Sequence, residues 1–153
     1  MPKSPTVFID ADDCPYKEEI YRVAQRHGLQ TLVVSNSERK IPRSDLIKSV
    51  VVEKKFDAVD DWICERVDEF DVVVTNDLLL SDRVIKKRAK ALNTRGREVT
   101  PDSIGEALAT RELMSQLRQM GEKGSNPKPL GPKEKSEFLN SLDRVVTNAK
   151  LRR

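Results

Sequence analysis

Two short apolar runs in this chain end directly in acid. Val7-Phe8-Ile9 stops at Asp10, with Asp12 and Asp13 close behind, and Val72-Val73-Val74-Thr75 runs straight into Asn76 and Asp77. A run without polar alternation suits a strand buried on both faces, and such strands belong to parallel sheets covered by helices on either side. Carboxylates at the carboxyl end of such a strand face the mouth of the sheet, where open α/β sheets bind ligands. The expected fold is therefore one three-layer α/β domain with a mainly parallel sheet. The Val7–Ile9 and Val72–Thr75 strands should be adjacent at its centre.

The intervening sequence reads the same way. Tyr16, Ile20, Val23, Ala24 and His27 recur at helical spacing after Pro15, which suits a first helical turn, and Gly28 follows as a C-cap. Thr31-Leu32-Val33-Val34 is a second strand, ending in a polar loop from Ser35 to Arg43. Asp45–Ser49 reads as a short helical turn and Val50-Val51-Val52 as a third strand. Asp57 suits an N-cap for a helix whose stripe is Val59, Trp62, Ile63 and Val67. Leu79, Leu80, Val84 and Ile85 mark another helix, followed by a turn at Arg95-Gly96-Arg97, an extended Glu98-Val99 and a long helix from Thr100-Pro101-Asp102 to about Met120. Residues 121–132 (GEKGSNPKPLGP) form a Gly/Pro-rich connector. Beyond it, residues 133–153 are expected as a basic helix or tail whose Phe138, Leu142, Val145 and Ala149 could dock back on the domain.

Charge is unevenly placed along the 153 residues. The net +3 divides into +4 over residues 121–153 and −1 over the rest, a balance compatible with a nucleic-acid partner. The start has no apolar region of a signal peptide and no run is long enough to span a membrane, so a cytoplasmic protein is expected. Cys14 and Cys64 lack CxxC spacing and read as reduced thiols.

Crowded carboxylates repel one another unless protons, basic groups or a divalent cation neutralise them. Asp10, Asp12 and Asp77, from two strand ends, would make an oxygen site for Mg²⁺ or Mn²⁺, and Asp61, on the helix feeding the second strand, would complete it or position water. Each has a plainer reading. Asp12 or Asp13 suits a helix cap, and Asp60 an ordinary first-turn carboxylate. His27, the sole histidine, sits on an apolar helix face and reads as packed, which leaves no histidine for a Ser-His-Asp or Cys-His device. Cys14 is too far from Arg22 for a thiol phosphatase. Gly-rich phosphate loops are absent, and few aromatics argue against a base-stacking platform. Arg39, Lys40 and Arg43, in the loop after the second strand, are the candidates to contact nucleic-acid phosphates.

The segments DADDCPYKEEIYRVAQRHG, FDAVDDWICERV, VVVTNDLLLSDRVI and TPDSIGEALATRELMSQL resemble the YaiI/YqxD-type family of uncharacterised bacterial proteins. That family is grouped with PIN-like domains, a Rossmann-like α/β fold that includes metal-dependent nucleases. The resemblance implies a PIN-like domain over residues 1–120 and acidic positions at Asp10, Asp12, Asp61 and Asp77. Asp13 and Asp82 stand where small residues are expected and are not carried over, and a role for Asp60 stays open. The leading expectation is a ribonuclease or related phosphodiesterase using Mg²⁺ or Mn²⁺. A non-catalytic RNA-binding or adaptor protein is the alternative, supported by the basic C-terminal segment. A lesser one is a phosphotransferase of the haloacid-dehalogenase type. Asp10-Ala11-Asp12 matches its D-x-D opening, and Asp77–Asp82 could supply its later acidic motif, but Cys14 falls where Thr or Val is usual.

Overall fold

The computed structural model describes residues 4–121 and 131–152. Among the described residues, six strands form one sheet: β1 (Val7–Asp10), β2 (Thr31–Ser35), β3 (Ile47–Val51), β4 (Val72–Val74), β5 (Lys90–Leu92) and β6 (Glu98–Val99). Their order is β3-β2-β1-β4-β5-β6, with β6 alone antiparallel. β1 and β4 are paired at the centre as expected, with Val7 opposite Val72 and Ile9 opposite Val74. Chain order runs outward from β1 in both directions, so the point of reversal lies between β1 and β4.

The helices are α1 (Lys17–Arg26), α2 (Ala58–Arg66), α3 (Leu78–Ile85), α4 (Pro101–Gln119) and α5 (Pro132–Arg152). Strand residues alternate between two cores. Val7, Ile9, Val72 and Val74 pack with α1 and α5, whereas Phe8 and Val73 pack with α2, α3 and the start of α4. This two-sided burial is why β1 and β4 are solidly apolar. The layers give a three-layer, Rossmann-like α/β fold.

Phe138, Leu142, Val145, Val146 and Ala149 of α5 are buried against the α1 side of the sheet. His27 Nε2 donates at 2.7 Å to the Asp143 carboxylate of α5, so the histidine holds a helix in place. At the amino edge of the sheet the buried Asp71 accepts from the N–H groups of Thr6 (2.9 Å) and Asp68 (2.8 Å), locking the start of β4 to that of β1. Neither cysteine is in a disulfide, and both are buried. Among the described residues no helix is long and apolar enough to cross a membrane.

Several local expectations are corrected. β3 begins at Ile47, where a helical turn was expected over Asp45–Ser49, because Ile47 is buried and pairs with Thr31 of β2. β5 has no counterpart in the sequence reading. α1 starts at Lys17, two residues after Pro15. Asp57 makes no side-chain cap; it adopts left-handed backbone at φ 65° before α2. Most of the expected connector, residues 122–130, and the side chain of Asp13 lie outside the described residues.

Candidate functional site

The reversal between β1 and β4 is where an open α/β sheet has its ligand crevice, and Asp10 stands there at the carboxyl end of β1. Asp10 is the last residue of β1 and only 9% exposed. Its Oδ2 accepts a 2.8 Å hydrogen bond from the Thr75 hydroxyl, directly beyond β4. The same hydroxyl oxygen accepts from the Asp77 N–H at 3.0 Å, so β4's end orients β1's carboxylate. Asp77 itself caps α3: its Oδ1 accepts from the N–H groups of Leu79 (2.9 Å) and Leu80 (3.3 Å). Asn76 faces away and ties this loop to Thr94 through its Oδ1.

The third carboxylate of the crevice is Asp60, in the first turn of α2. Burial, then the negative charges of Asp77 and Asp10, with a smaller push from Asp57, raise its pKa to about 7, against the opposing pull of Arg83. Asp10, Asp60 and Asp77 therefore sense one another across the reversal point. At neutral pH the Asp60 carboxyl is therefore only partly ionised.

Asp12 and Asp61 are engaged elsewhere. After Asp10 the chain turns into a single 3₁₀ turn, Ala11–Asp13, so Asp12 leaves the extended path that would have put it on one side with Asp10. Lys17 stitches this turn, donating to the carbonyls of Cys14 (2.8 Å) and Ala11 (3.4 Å). Asp12 Oδ1 instead accepts from Arg39 Nη2 (2.8 Å) and the Ser35 hydroxyl (2.7 Å). Partial burial pushes the Asp12 carboxyl up, but the hydrogen bonds from Arg39, Ser35 and the Asn36 N–H outweigh it and hold the pKa below the ordinary value. Asp61, with a side chain 55% exposed, pairs with Arg83 at 2.9 Å. Of the three basic candidates, Arg39 is fixed in this way, while Lys40 and Arg43 are exposed.

All the donors in the crevice are hard carboxylate oxygens, the type Mg²⁺ and Mn²⁺ favour. Among the described residues, no three His, Cys, Asp or Glu side chains form a ready metal cage. The arrangement fits Mg²⁺ in its usual protein setting, where one or two carboxylates hold an ion that keeps several waters and takes further oxygens from phosphate.

Comparison with known proteins places the chain. The description "Uncharacterized BCR, YaiI/YqxD family" matches over residues 8–148, which spans both acid-ended strands and α5. The chain belongs to the YaiI/YqxD family. A relative from Caulobacter sp. (strain K31), named "UPF0178 protein", is 50% identical over 144 residues, covering 94% of this chain and 95% of the relative. One from Sphingopyxis alaskensis is 47% identical over 96% of each chain. One from Agrobacterium fabrum is 42% identical over 98% of each. No solved structure matches the chain.

One group beside the reversal, Thr75, escaped the sequence reading, and another, Asp60, was left open by it. Thr75 was visible only as the end of an apolar run, although a hydroxyl between a buried strand and an Asn-Asp pair is a signal in itself. Asp60 had the same helical phase as any first-turn carboxylate. Only the packing of α2 over β1 and β2 and beside α3, which brings it near Asp10 and Asp77, distinguishes it.

Proposed function

We propose that this protein is a phosphodiesterase that cleaves RNA at the β1/β4 crevice with Mg²⁺ or Mn²⁺ as cofactor. The observation that carries this reading is the crowding of Asp10, Asp60 and Asp77 at the reversal point, which raises Asp60 to a pKa of about 7. An anionic cluster of that kind is relieved by a cation. Asp10 and Asp60 would hold the ion, with Asp77 contributing from the α3 cap. When bound, such an ion supplies a water of lowered pKa and charge stabilisation at phosphoryl oxygens.

The chain's own residues do the rest. Thr75 fixes the Oδ2 lone pair of Asp10, and the Asp77 N–H fixes Thr75, so the first ligand does not reorganise. A bound cation would favour the ionised form of the Asp60 carboxyl, whose pKa of about 7 lets it give up its proton near neutral pH. The basic loop after β2 guides the substrate backbone. RNA as the substrate follows from the resemblance to PIN-like domains, and a deoxy oligonucleotide of the same sequence is the control.

The test is cleavage of a labelled single-stranded RNA with Mn²⁺. Asp10→Asn should lower the rate by at least about 100-fold, the scale expected when a charge-positioning group is removed. Equal rates in Asp10→Asn and wild type would overturn the proposal. The ion pairs that occupy Asp12 and Asp61 favour a second reading, a non-catalytic RNA-binding protein. That reading gains if wild type binds the oligonucleotide, with affinity unchanged in Asp10→Asn, and cleaves nothing.

A further inference from the structure

α2 and α3 lie side by side on one face of the sheet, and the groove between them changes sign along its length. Arg83 Nη1 donates at 2.9 Å to Asp61 Oδ1, and Lys87 Nζ donates to the Cys64 carbonyl. These two contacts advance together along α2 and along α3 with the turn that ends it, so both helices lead away from the carboxyl edge in parallel. At that edge stand Asp60, in the first turn of α2, and Asp77, the cap of α3. Farther along, Arg83, Lys86 and Lys87 line an open pocket of about 360 Å³ with Cys64 and Glu65. The groove thus passes from acid at its mouth to base beyond.

Arg83 stands where the sign changes, since its charge acts on Asp60 as well as on Asp61. Existing pairs leave these cations available. The Arg83–Asp61 pair is open to solvent, where an ion pair contributes little, and it engages one of the five N–H donors of a guanidinium. Lys86 meets Asp82 at 2.9 Å with its own side chain 73% exposed. Lys87 has no carboxylate partner among the described residues and holds only a carbonyl. Glu65, the one acid lining the pocket, meets Arg66 at 3.3 Å. Burial pushes the Cys64 thiol up, so it adds no negative charge at neutral pH.

We infer that Arg83, Lys86 and Lys87 form a subsite for the backbone phosphates of an RNA strand where it leaves the crevice along the α2/α3 groove. This deepens the proposed function and rests on it. Arginine takes phosphate through paired N–H bonds and lysine as a point charge, so the three side chains suit one or more phosphates better than a flat apolar ligand. A small anion gains little beside the acid cluster, which repels it. A chain of phosphates can span from a cation at Asp10 to the basic pocket and use both.

The test is fluorescence anisotropy of a labelled single-stranded RNA of about 12 nucleotides, across a salt series in EDTA. Each phosphate contact to a single strand adds about −0.7 to the slope of log K against log salt. Arg83→Ala should flatten that slope by about 0.7, and the double variant Lys86→Ala/Lys87→Ala by about 1.4. Arg22→Ala removes an exposed arginine of α1, on the opposite face of the sheet, and should leave the slope unchanged. The full slope in Arg83→Ala or in the double variant, or an equal loss in Arg22→Ala, overturns the subsite, as does a wild type that binds no RNA. Mn²⁺-dependent cleavage of the same strand is measured in parallel. Slopes that flatten as expected without cleavage refute the phosphodiesterase and keep the subsite, whereas cleavage with unchanged slopes does the reverse.

Discussion

Asp60 shows how a single side chain reports its surroundings. In an unfolded chain its carboxyl has the ordinary pKa of 3.8, and in the fold about 7. The folded state therefore binds the extra proton between those values, and stability falls as pH rises from about 4 to about 7, staying lower above that. Three units correspond to about 4 kcal/mol, which partial exposure reduces to roughly 1–2 kcal/mol. Asp60→Asn should then melt about 3–8 °C above wild type at pH 8 and level with it at pH 4. Thermal melting across that range checks the sign, and a variant less stable than wild type at pH 8 would show that the carboxylate is not under repulsion.

The same scale shows what could be read from residues alone. Asp10 and Asp77 were legible because an apolar run stopping in acid has few explanations. Asp12 was misdirected by assuming that the strand stays extended, when the chain turns into a 3₁₀ turn and gives the carboxylate to Arg39. A two-residue spacing says where side chains point only while the backbone keeps its period.

At the scale of elements, the apolar strands and periodic helices were recovered, the two-residue β6 among them, but β5 was not foreseen. β5 is three residues, Lys90-Ala91-Leu92, and its middle side chain is a methyl group, so nothing in its sequence resembles a strand. It forms because β4 offers an unpaired edge and because the following turn is pinned to α5. Gly96 lies at φ 84°, and a Cβ there would stand 3.0 Å from Ser141 Oγ and 3.1 Å from both Glu137 O and Phe138 Cα. Gly28 at φ 70° has nothing within 4 Å. Both Gly→Ala changes meet the left-handed penalty of about 1 kcal/mol, but Gly96→Ala must also push backbone away from α5. Denaturant unfolding should give a loss of about 2–3 kcal/mol for Gly96→Ala and about 1 kcal/mol for Gly28→Ala. Equal losses would mean that α5 does not hold the β5–β6 turn.

For the molecule as a whole, the reversal of strand order is what brings acids distant in sequence to one end of the sheet. β1 and β4 are 65 positions apart between Asp10 and Thr75, yet their ends share a hydrogen bond. That adjacency followed from the two solid apolar runs. The partner of each outlying acid did not, because Arg39 and Arg83 reach Asp12 and Asp61 through loop and helix placement that no spacing records. The family match spans residues 8–148, so the same chain that builds the crevice also builds the α5 face that supports it.

The most direct test of the crevice as a cation site is calorimetric titration of Mn²⁺ into the full chain at pH 7.5, for wild type, Asp10→Asn and Asp61→Asn. Wild type and Asp61→Asn should each show saturable binding that Asp10→Asn lacks, because Asp10 is buried at the reversal point while Asp61 pairs with Arg83. Absence of saturable heat in wild type, or the same binding in Asp10→Asn, would contradict the assignment.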